Sequence, residues 1–154
     1  MGDISAHLSK SEIRCKCGCG YADLKKPAIE LFEAVRHELG DKPLIVTSGC
    51  RCTKHSIAVG GYANDMHTRG LALDVRSDYY TPEQICAAAE KCGANGIGLM
   101  KSKGAAHFDA GDRVKPWRGN EDTGENVATF ITTKKHSLEI KLDGTTIFKG
   151  DVNI

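Results

Sequence analysis

The chain has 154 residues, a length typical of one domain with room for a small appendage. Its formal net charge at pH 7 is +1. The near balance of charge gives no indication of a nucleic-acid or membrane surface, and no apolar run approaches the roughly 20 residues of a membrane span. The first residues lack the basic region and apolar stretch of a signal peptide. We therefore expect synthesis in the cytoplasm, with exit only if another component releases the protein.

Two helices and a strand are predicted within the first fifty residues. Ser9 and Glu12 have the spacing of a capping box, which predicts the start of a short helix. Pro27 opens a longer helix with one apolar face, and Gly40 ends it. The β-branched run at residues 42–48 is typical of a buried strand. Together with abundant glycine, these elements indicate a compact α+β unit.

The end of that strand carries polar residues that are well placed to face a site. Ser48 and Arg51 are the candidates, and the guanidinium of Arg51 can bind a carboxylate in a fork geometry that lysine cannot match. From the residues alone, an arginine that merely pairs with a surface acid is an equal alternative. His55, in the loop that follows, is a minor candidate because a lone loop histidine is usually solvated.

The most distinctive stretch contains a histidine and an aspartate with six residues between them. Around Asp74, residues 71–75 alternate as in a strand with one buried face. Gly70 interrupts the pattern just before, so His67 comes from a turn and can aim at the same point in space. One histidine and one carboxylate do not complete a metal site, so a third ligand is needed.

A second alternating stretch offers that third ligand. Within residues 105–109, His107 and Asp109 share one face, whereas Ala106 and Phe108 share the other. Two histidines and one carboxylate, with a fourth position left for water, match the ligand count of a catalytic zinc site.

The elements between these two stretches are a helix and a strand. Thr81 and Gln84 predict a capped helix that Gly93 ends. Residues 96–100 predict a short strand, which we expect to pair as a hairpin with residues 105–109.

Seven cysteines are many for such a chain. Five belong to two short motifs, at Cys15, Cys17, Cys19, Cys50 and Cys52. The odd total leaves at least one cysteine unpaired or bound to metal, and a reducing compartment disfavours disulfides. A structural metal, a bridge and free buried thiols all stay open from the residues alone.

The composition changes beyond Trp117. Residues 119–126 are polar and predict a linker, and residues 127–154 alternate around an Asp143-Gly144 turn, which predicts a β-hairpin. A hairpin of this size is too small to be stable alone, so we expect it to pack on the core or on a partner. The expected organisation is a domain at residues 1–118, followed by the linker and the hairpin.

Several motifs occur together in order and spacing, which makes them far more specific than any one alone. They are Ser48-Gly49-Cys50-Arg51-Cys52, Val59-Gly60-Gly61, His67-x-x-Gly70-x-Ala72-x-Asp74 and His107-x-Asp109. The chain thereby resembles the M15 family of zinc peptidases, and most of all its phage-type branch. The resemblance implies a D-Ala-D-Ala carboxypeptidase or an L-alanyl-D-glutamate endopeptidase acting on peptidoglycan peptides. It also implies the fold of the hedgehog signalling domain, a small antiparallel sheet with helices on one side.

The resemblance assigns roles to individual residues. It implies that His67, Asp74 and His107 bind Zn²⁺. It also implies that Arg51 contacts substrate near the metal, with Ser48 beside it as a second substrate-binding candidate.

The acidic residue that serves the family as general base is missing from its usual positions. Gly104 stands three residues before the last histidine ligand, and Lys101 stands six residues before, where the hedgehog fold has a glutamate. Asp109 is the nearest acidic replacement, either as the base or as a residue that orients a ligand histidine. Asp65 and Asp112 are weaker candidates for the base.

Three functions of different kinds are consistent with these features. The first is a zinc peptidase that acts on the bacterial cell wall, as a phage lysin released from the cell or as a lytic part of a virion. The second is a non-catalytic zinc-binding module. The third is a phage structural protein whose residues 127–154 bind a partner. The retained Arg51 and the open ligand count favour the first, and the missing acid favours the second.

Overall fold

A computed structural model describes residues 2–132, 135–142 and 145–153, with side chains as far as residue 132. The expected Asp143-Gly144 turn lies outside the described residues. The architecture is α+β, with a six-stranded and mostly antiparallel sheet and a few helices, which confirms the expected fold class.

Four α-helices and one 3-10 turn lie in the described residues. They are α1 (Lys10–Ile13), α2 (Lys26–Glu38), α3 (Thr53–Ala58), α4 (Pro82–Lys91) and the 3-10 turn Lys101–Lys103. The expected caps are present, since the Ser9 amide donates to the Glu12 carboxylate at 2.8 Å. The side chains of Thr81 and Gln84 each accept a hydrogen bond from the other's backbone amide. In the described part of the chain, none of the helices has the length and apolar character needed to cross a bilayer.

The strands of the described residues form two sheets. They are β1 (Ile45–Ser48), β2 (Ala72–Arg76), β3 (Gly96–Met100), β4 (Ala105–Asp109), β5 (Trp117–Asn120), β6 (Glu125–Asn126), β7 (Lys135–Leu142) and β8 (Thr145–Asn153). The larger sheet has the order β1-β2-β4-β3-β5-β6, and within it only β3 and β5 pair in parallel. The expected hairpin of β3 and β4 is confirmed.

Alternation along β2 and β4 gives the larger sheet two chemically different faces. Leu73, Val75 and Phe108 belong to the apolar core, which the sheet forms with α2 and α4. Asp74 and His107 are directly paired across β2 and β4. Because successive strand residues point to opposite faces, this pair projects away from the core, side by side.

Packing of the core fixes the strand that carries His107. The largest fully buried side chains include Phe32 from α2, Ile85 from α4 and Phe108 from β4. Burying a side chain of this kind contributes about 1.5–3 kcal/mol. Since Phe108 directly follows His107, a one-residue slip of β4 would bury the histidine and expose the phenylalanine.

The polar segment at residues 119–126 forms an edge of the larger sheet. β5 pairs with β3, and the Asn120 side chain accepts hydrogen bonds from the amides of Asp122 and Thr123 at the turn into β6. An edge strand exposes one side to solvent, which accounts for the polar composition that predicted a linker. This segment is therefore hydrogen-bonded into the sheet, and the division of the chain into domain, linker and hairpin stays a prediction.

The residues after β6 contact helix α4. The Thr129 hydroxyl and the Phe130 amide donate to the Glu90 carboxylate at 2.5 and 2.7 Å, and the Phe130 side chain packs against the core. β7 and β8 pair with each other in an antiparallel hairpin, as expected. The role of this hairpin as a separate appendage stays a prediction.

Candidate metal centre

Three side chains from separate parts of the chain meet on the polar face of the sheet. Asp74 lies on β2 and His107 lies beside it on β4, whereas His67 reaches them from the turn before β2. One possible ligand atom from each residue lies within 4.8 Å of the other two. The structure therefore brings together the three residues that the sequence predicts as metal ligands.

The spacing of the three atoms suits a small divalent cation. His107 Nδ1 lies 2.9 Å from Asp74 Oδ1 and 3.2 Å from His67 Nε2. The third side of the triangle, from His67 Nε2 to Asp74 Oδ1, is 3.2 Å. Ligands that hold zinc tetrahedrally at about 2.0–2.1 Å lie about 3.3 Å from one another. All three side chains are largely buried, so few water molecules compete for these atoms.

The ring protons of both histidines are held on the side away from this triangle. His67 Nδ1 donates to the Gly49 carbonyl at 2.8 Å. His107 Nε2 donates to the Asp109 carboxylate, also at 2.8 Å. Since the Gly49 carbonyl only accepts, His67 carries its proton on Nδ1 and a lone pair on Nε2. His107 lies between two carboxylates, so its Nδ1 presents a lone pair once the proton on that nitrogen has left. With His107 Nδ1 deprotonated, three electron-pair donors face one another, and a metal ion between them removes their repulsion.

The charges around the triangle also favour a cation. Burial tends to raise the pKa of the Asp74 carboxyl, but hydrogen bonds with His107 and His67 outweigh it and hold that pKa far below its usual value. Burial tends to lower the pKa of His107, but Asp109 and Asp74 outweigh it and raise that pKa well above its usual value. The imidazole of His107 thus lies between two carboxylates, so protons and metal ions compete for its Nδ1.

Asp109 lies behind His107, against the ring nitrogen that does not face the triangle. Its carboxylate is fully buried, and both oxygens are engaged by His107, Arg113 and the Gly111 amide at 2.5–3.1 Å. Burial tends to raise the pKa of Asp109, but the bonds from His107 and Arg113 outweigh it and hold that pKa well below its usual value. A carboxylate held in this way is suited to orienting a ligand histidine.

The two weaker acidic candidates have structural partners. Asp65 is buried and accepts hydrogen bonds from the Ser56 hydroxyl and the Thr68 amide. It therefore braces the turn that supplies the first histidine of the triangle. Asp112 is exposed and pairs with Arg69 at 3.1 Å.

A cleft of about 280 Å³ opens beside the triangle. Asp74 forms part of its wall, together with Ser48 and Arg51 from the end of β1, His55 from α3, and Lys103. Both predicted substrate-binding residues therefore reach the same cleft as a metal-ligand candidate. The cationic side chains of Arg51 and Lys103 suit the cleft to an anionic group such as a peptide carboxylate.

Arg51 is held in place from two sides. Its backbone amide donates to the His67 carbonyl at 3.2 Å, and its Nη2 lies 3.9 Å from Asp65 Oδ2. Its side chain is only 15% exposed, and its Nε has no hydrogen-bond partner among the described residues. A buried donor without a partner is costly.

Sequence reasoning missed one carboxylate on the polar face. Gly98 pairs with His107 across β3 and β4, and a Cβ atom on Gly98 would collide with the Glu121 carboxylate. The exposed Glu121 therefore places its carboxylate over the glycine, on the face to which His107 projects. No motif spacing marks Glu121, because only the parallel pairing of β5 with β3 brings it here.

Comparison with known proteins identifies the family. Residues 6–109 match the family model described as Peptidase M15. The match covers more than half of the chain and includes all three ligand candidates and Arg51, so the chain belongs to this peptidase family. No curated protein matches the chain significantly. Membership of the phage-type branch stays a prediction.

Replacing His67, Asp74 or His107 with alanine is expected to remove one equivalent of bound metal per chain. Each substitution takes away one of three donors and leaves too few to hold the ion. Elemental analysis of the dialysed protein measures the loss. His37→Ala is the matched control, because His37 is exposed and pairs with Asp41. Unchanged metal content in the three ligand variants would contradict the site.

Replacing Asp109 with asparagine is expected to weaken metal binding by about 10–100-fold. The amide lacks the negative charge that keeps the proton on His107 Nε2 and the lone pair on Nδ1. Competition against a chromophoric chelator measures the affinity, and Asp112→Asn, an exposed carboxylate, is the control. Unchanged affinity with lost turnover would instead identify Asp109 as the base.

Proposed function

We propose that this member of the peptidase M15 family is a zinc-dependent hydrolase of amide bonds in peptidoglycan stem peptides. The observation that carries the proposal is the set of lone-pair donors from His67, Asp74 and His107 beside an open cleft. Three protein ligands leave a coordination position free, as catalytic zinc sites require. The substrate class rests on the resemblance to peptidases of this family.

The donor set fits zinc. Imidazole nitrogens and a carboxylate oxygen are usual ligands of catalytic zinc, and their separations of 2.9–3.2 Å suit its tetrahedral geometry. Zinc held there would supply Lewis-acid chemistry, which polarises a carbonyl and makes water more acidic. The Gly49 carbonyl and Asp109 keep both imidazoles oriented, with their lone pairs toward the ion.

Arg51 and Ser48 bind the substrate in this proposal. Arg51 lines the cleft, so its guanidinium can anchor a substrate carboxylate or stabilise the carbonyl oxygen as negative charge develops. Ser48 pairs with Asp74 across β1 and β2, which places its hydroxyl group along the same cleft. Lys103 adds a second positive charge to the wall.

Glu121 serves as the general base in this proposal. Both oxygens of Asp109 are engaged in the buried layer, whereas Glu121 is exposed on the face to which His107 projects. Glu121 takes a proton from the attacking water molecule and passes it to the amine of the leaving peptide. A carboxylate supplied after β5 would compensate for Gly104 and Lys101 at the family's usual acidic positions.

A metal-binding module without catalysis is the second candidate. The observation that favours it is the absence of an acid at residues 101 and 104, together with the full engagement of Asp109.

For the peptidase, we propose delivery to the bacterial wall by a phage, as a released lysin or within a virion, with residues 127–154 contacting a phage partner. This delivery rests on the resemblance to phage-type members of the family.

Digestion of purified peptidoglycan fragments with zinc-loaded protein is expected to cut one bond of the stem peptide. Mass spectrometry identifies the bond, since loss of a terminal D-alanine indicates a carboxypeptidase and separation of L-alanine from D-glutamate indicates an endopeptidase. A chelator should abolish the reaction and added zinc should restore it. Absence of any product from folded, zinc-loaded protein would contradict the peptidase and leave the binding module.

Replacing Glu121 with glutamine is expected to reduce kcat by about 10²–10⁴-fold, the usual contribution of a general base, with unchanged metal content. Glutamine has nearly the same shape but cannot accept the proton. Glu125→Gln, an exposed change on the neighbouring strand β6, is the matched control. Turnover at the wild-type rate in the Glu121 variant would exclude this residue as the base.

A further inference from the structure

We propose that Cys15, Cys17, Cys19 and Cys52 form a second, structural metal site that binds one zinc ion through four thiolates. The four sulfur atoms lie within 4.8 Å of one another, although Cys52 is more than thirty residues away from the other three. This site is separate from the His67, Asp74 and His107 triangle and shares no ligand with it. The proposal stands independently of the peptidase function.

The distances among the sulfur atoms fit one shared ion. Cys15 Sγ lies 3.4 Å from Cys17 Sγ, and Cys17 Sγ lies 3.6 Å from Cys52 Sγ. Zinc–sulfur bonds of about 2.3 Å with tetrahedral angles place sulfur atoms about 3.8 Å apart. A disulfide joins two sulfurs at about 2.05 Å and leaves no reason for two more to gather at the same point. Four sulfurs around one centre are therefore better explained by a metal ion than by a bridge.

The loop that carries three of the sulfurs is shaped to turn them inward. Gly18 has φ of 85°, a left-handed conformation that other residues adopt only with strain. It allows the chain to reverse between Cys17 and Cys19, so that both reach the sulfur of Cys15. The Cys15 amide donates to the Tyr21 carbonyl at 2.7 Å, which closes the base of the loop.

Backbone amides point at two of the sulfurs. The Cys52 amide donates to Cys15 Sγ, and the His55 amide donates to Cys52 Sγ, both at 3.4 Å. Hydrogen bonds of this kind favour the charged thiolate over the neutral thiol, and the thiolate is the form that binds metal. Sulfur ligands select zinc or iron over magnesium or calcium. Four protein ligands leave no open position, so the role is structural.

The site would join two walls of the catalytic cleft. Lys16, between two of the cysteine ligands, lines the cleft together with Arg51, which directly precedes Cys52. A metal ion shared by the loop and by Cys52 would fix the position of Lys16 relative to Arg51. The exposed Cys17 and Cys19 would also be protected from oxidation while they are bound.

Metal content separates the two sites. Protein produced with added zinc under reducing conditions should contain two equivalents per chain, and His67→Ala should contain one. Cys19→Ser should also contain one, held by the histidine site, whereas the control Cys92→Ser should keep two because Cys92 lies outside the cluster. Elemental analysis also distinguishes zinc from iron. One equivalent in the wild type that is lost in His67→Ala would overturn the proposal.

Cobalt spectroscopy tests the ligands without relying on the folding of a cysteine variant. Cobalt-loaded His67→Ala should keep the intense sulfur-to-cobalt charge-transfer band and the visible bands of a tetrahedral tetrathiolate. Thiol titration of the zinc-loaded wild type should find the four cluster thiols slow to react until a strong chelator is added. Absence of the charge-transfer band, or an intact mass lowered by the hydrogens of a disulfide in protein purified under the same conditions, would overturn the proposal.

Discussion

Three electron-pair donors that face one another at 2.9–3.2 Å are the constraint on which the rest of the structure depends. When His107 has lost its second proton, two imidazole nitrogens and a carboxylate oxygen repel one another unless a metal ion lies between them. The register of β2 with β4 places Asp74 beside His107. The hydrogen bonds from His67 to the Gly49 carbonyl and from His107 to Asp109 orient the two imidazole rings. The folding energy of the apolar core therefore maintains a site that favours a metal ion.

Asp109 contacts the His107 ring, and Arg113 contacts Asp109 in turn. Asp109 accepts from the histidine ring, and Arg113 binds both oxygens of Asp109. The Arg113 guanidinium in turn lies 6.0 Å from the centre of the Trp117 ring, which itself lies 6.2 Å from the His107 ring. The hydrogen bonds from His107 and Arg113 to Asp109 hold the imidazole in one orientation, as a metal ligand requires.

The sequence predicted the strands and the grouping of ligands well, because alternation along a strand directly encodes which side chains share a face. Asp74, His107 and Asp109 followed from that rule, and the turn at His67 followed from the break at Gly70. The role of Asp109 stays a prediction, since the same alternation suits a base and an orienting residue. The contacts of its carboxylate with Arg113 and Gly111 could not be predicted, because they arise from a loop that has no periodic pattern.

Local sequence by itself determined the capped helices, the two-faced strands and the presence of metal-binding side chains, because each depends on neighbours only a few residues apart. The tertiary structure decided which distant groups meet. The parallel pairing of β5 with β3 placed Glu121 over Gly98 and incorporated the polar residues 119–126 into the sheet. The reversal at Gly18 and the position of Cys52 brought four sulfurs to one point. Such long-range contacts depend on how whole strands and loops pack, and they cannot be predicted from the spacing of residues in a short motif.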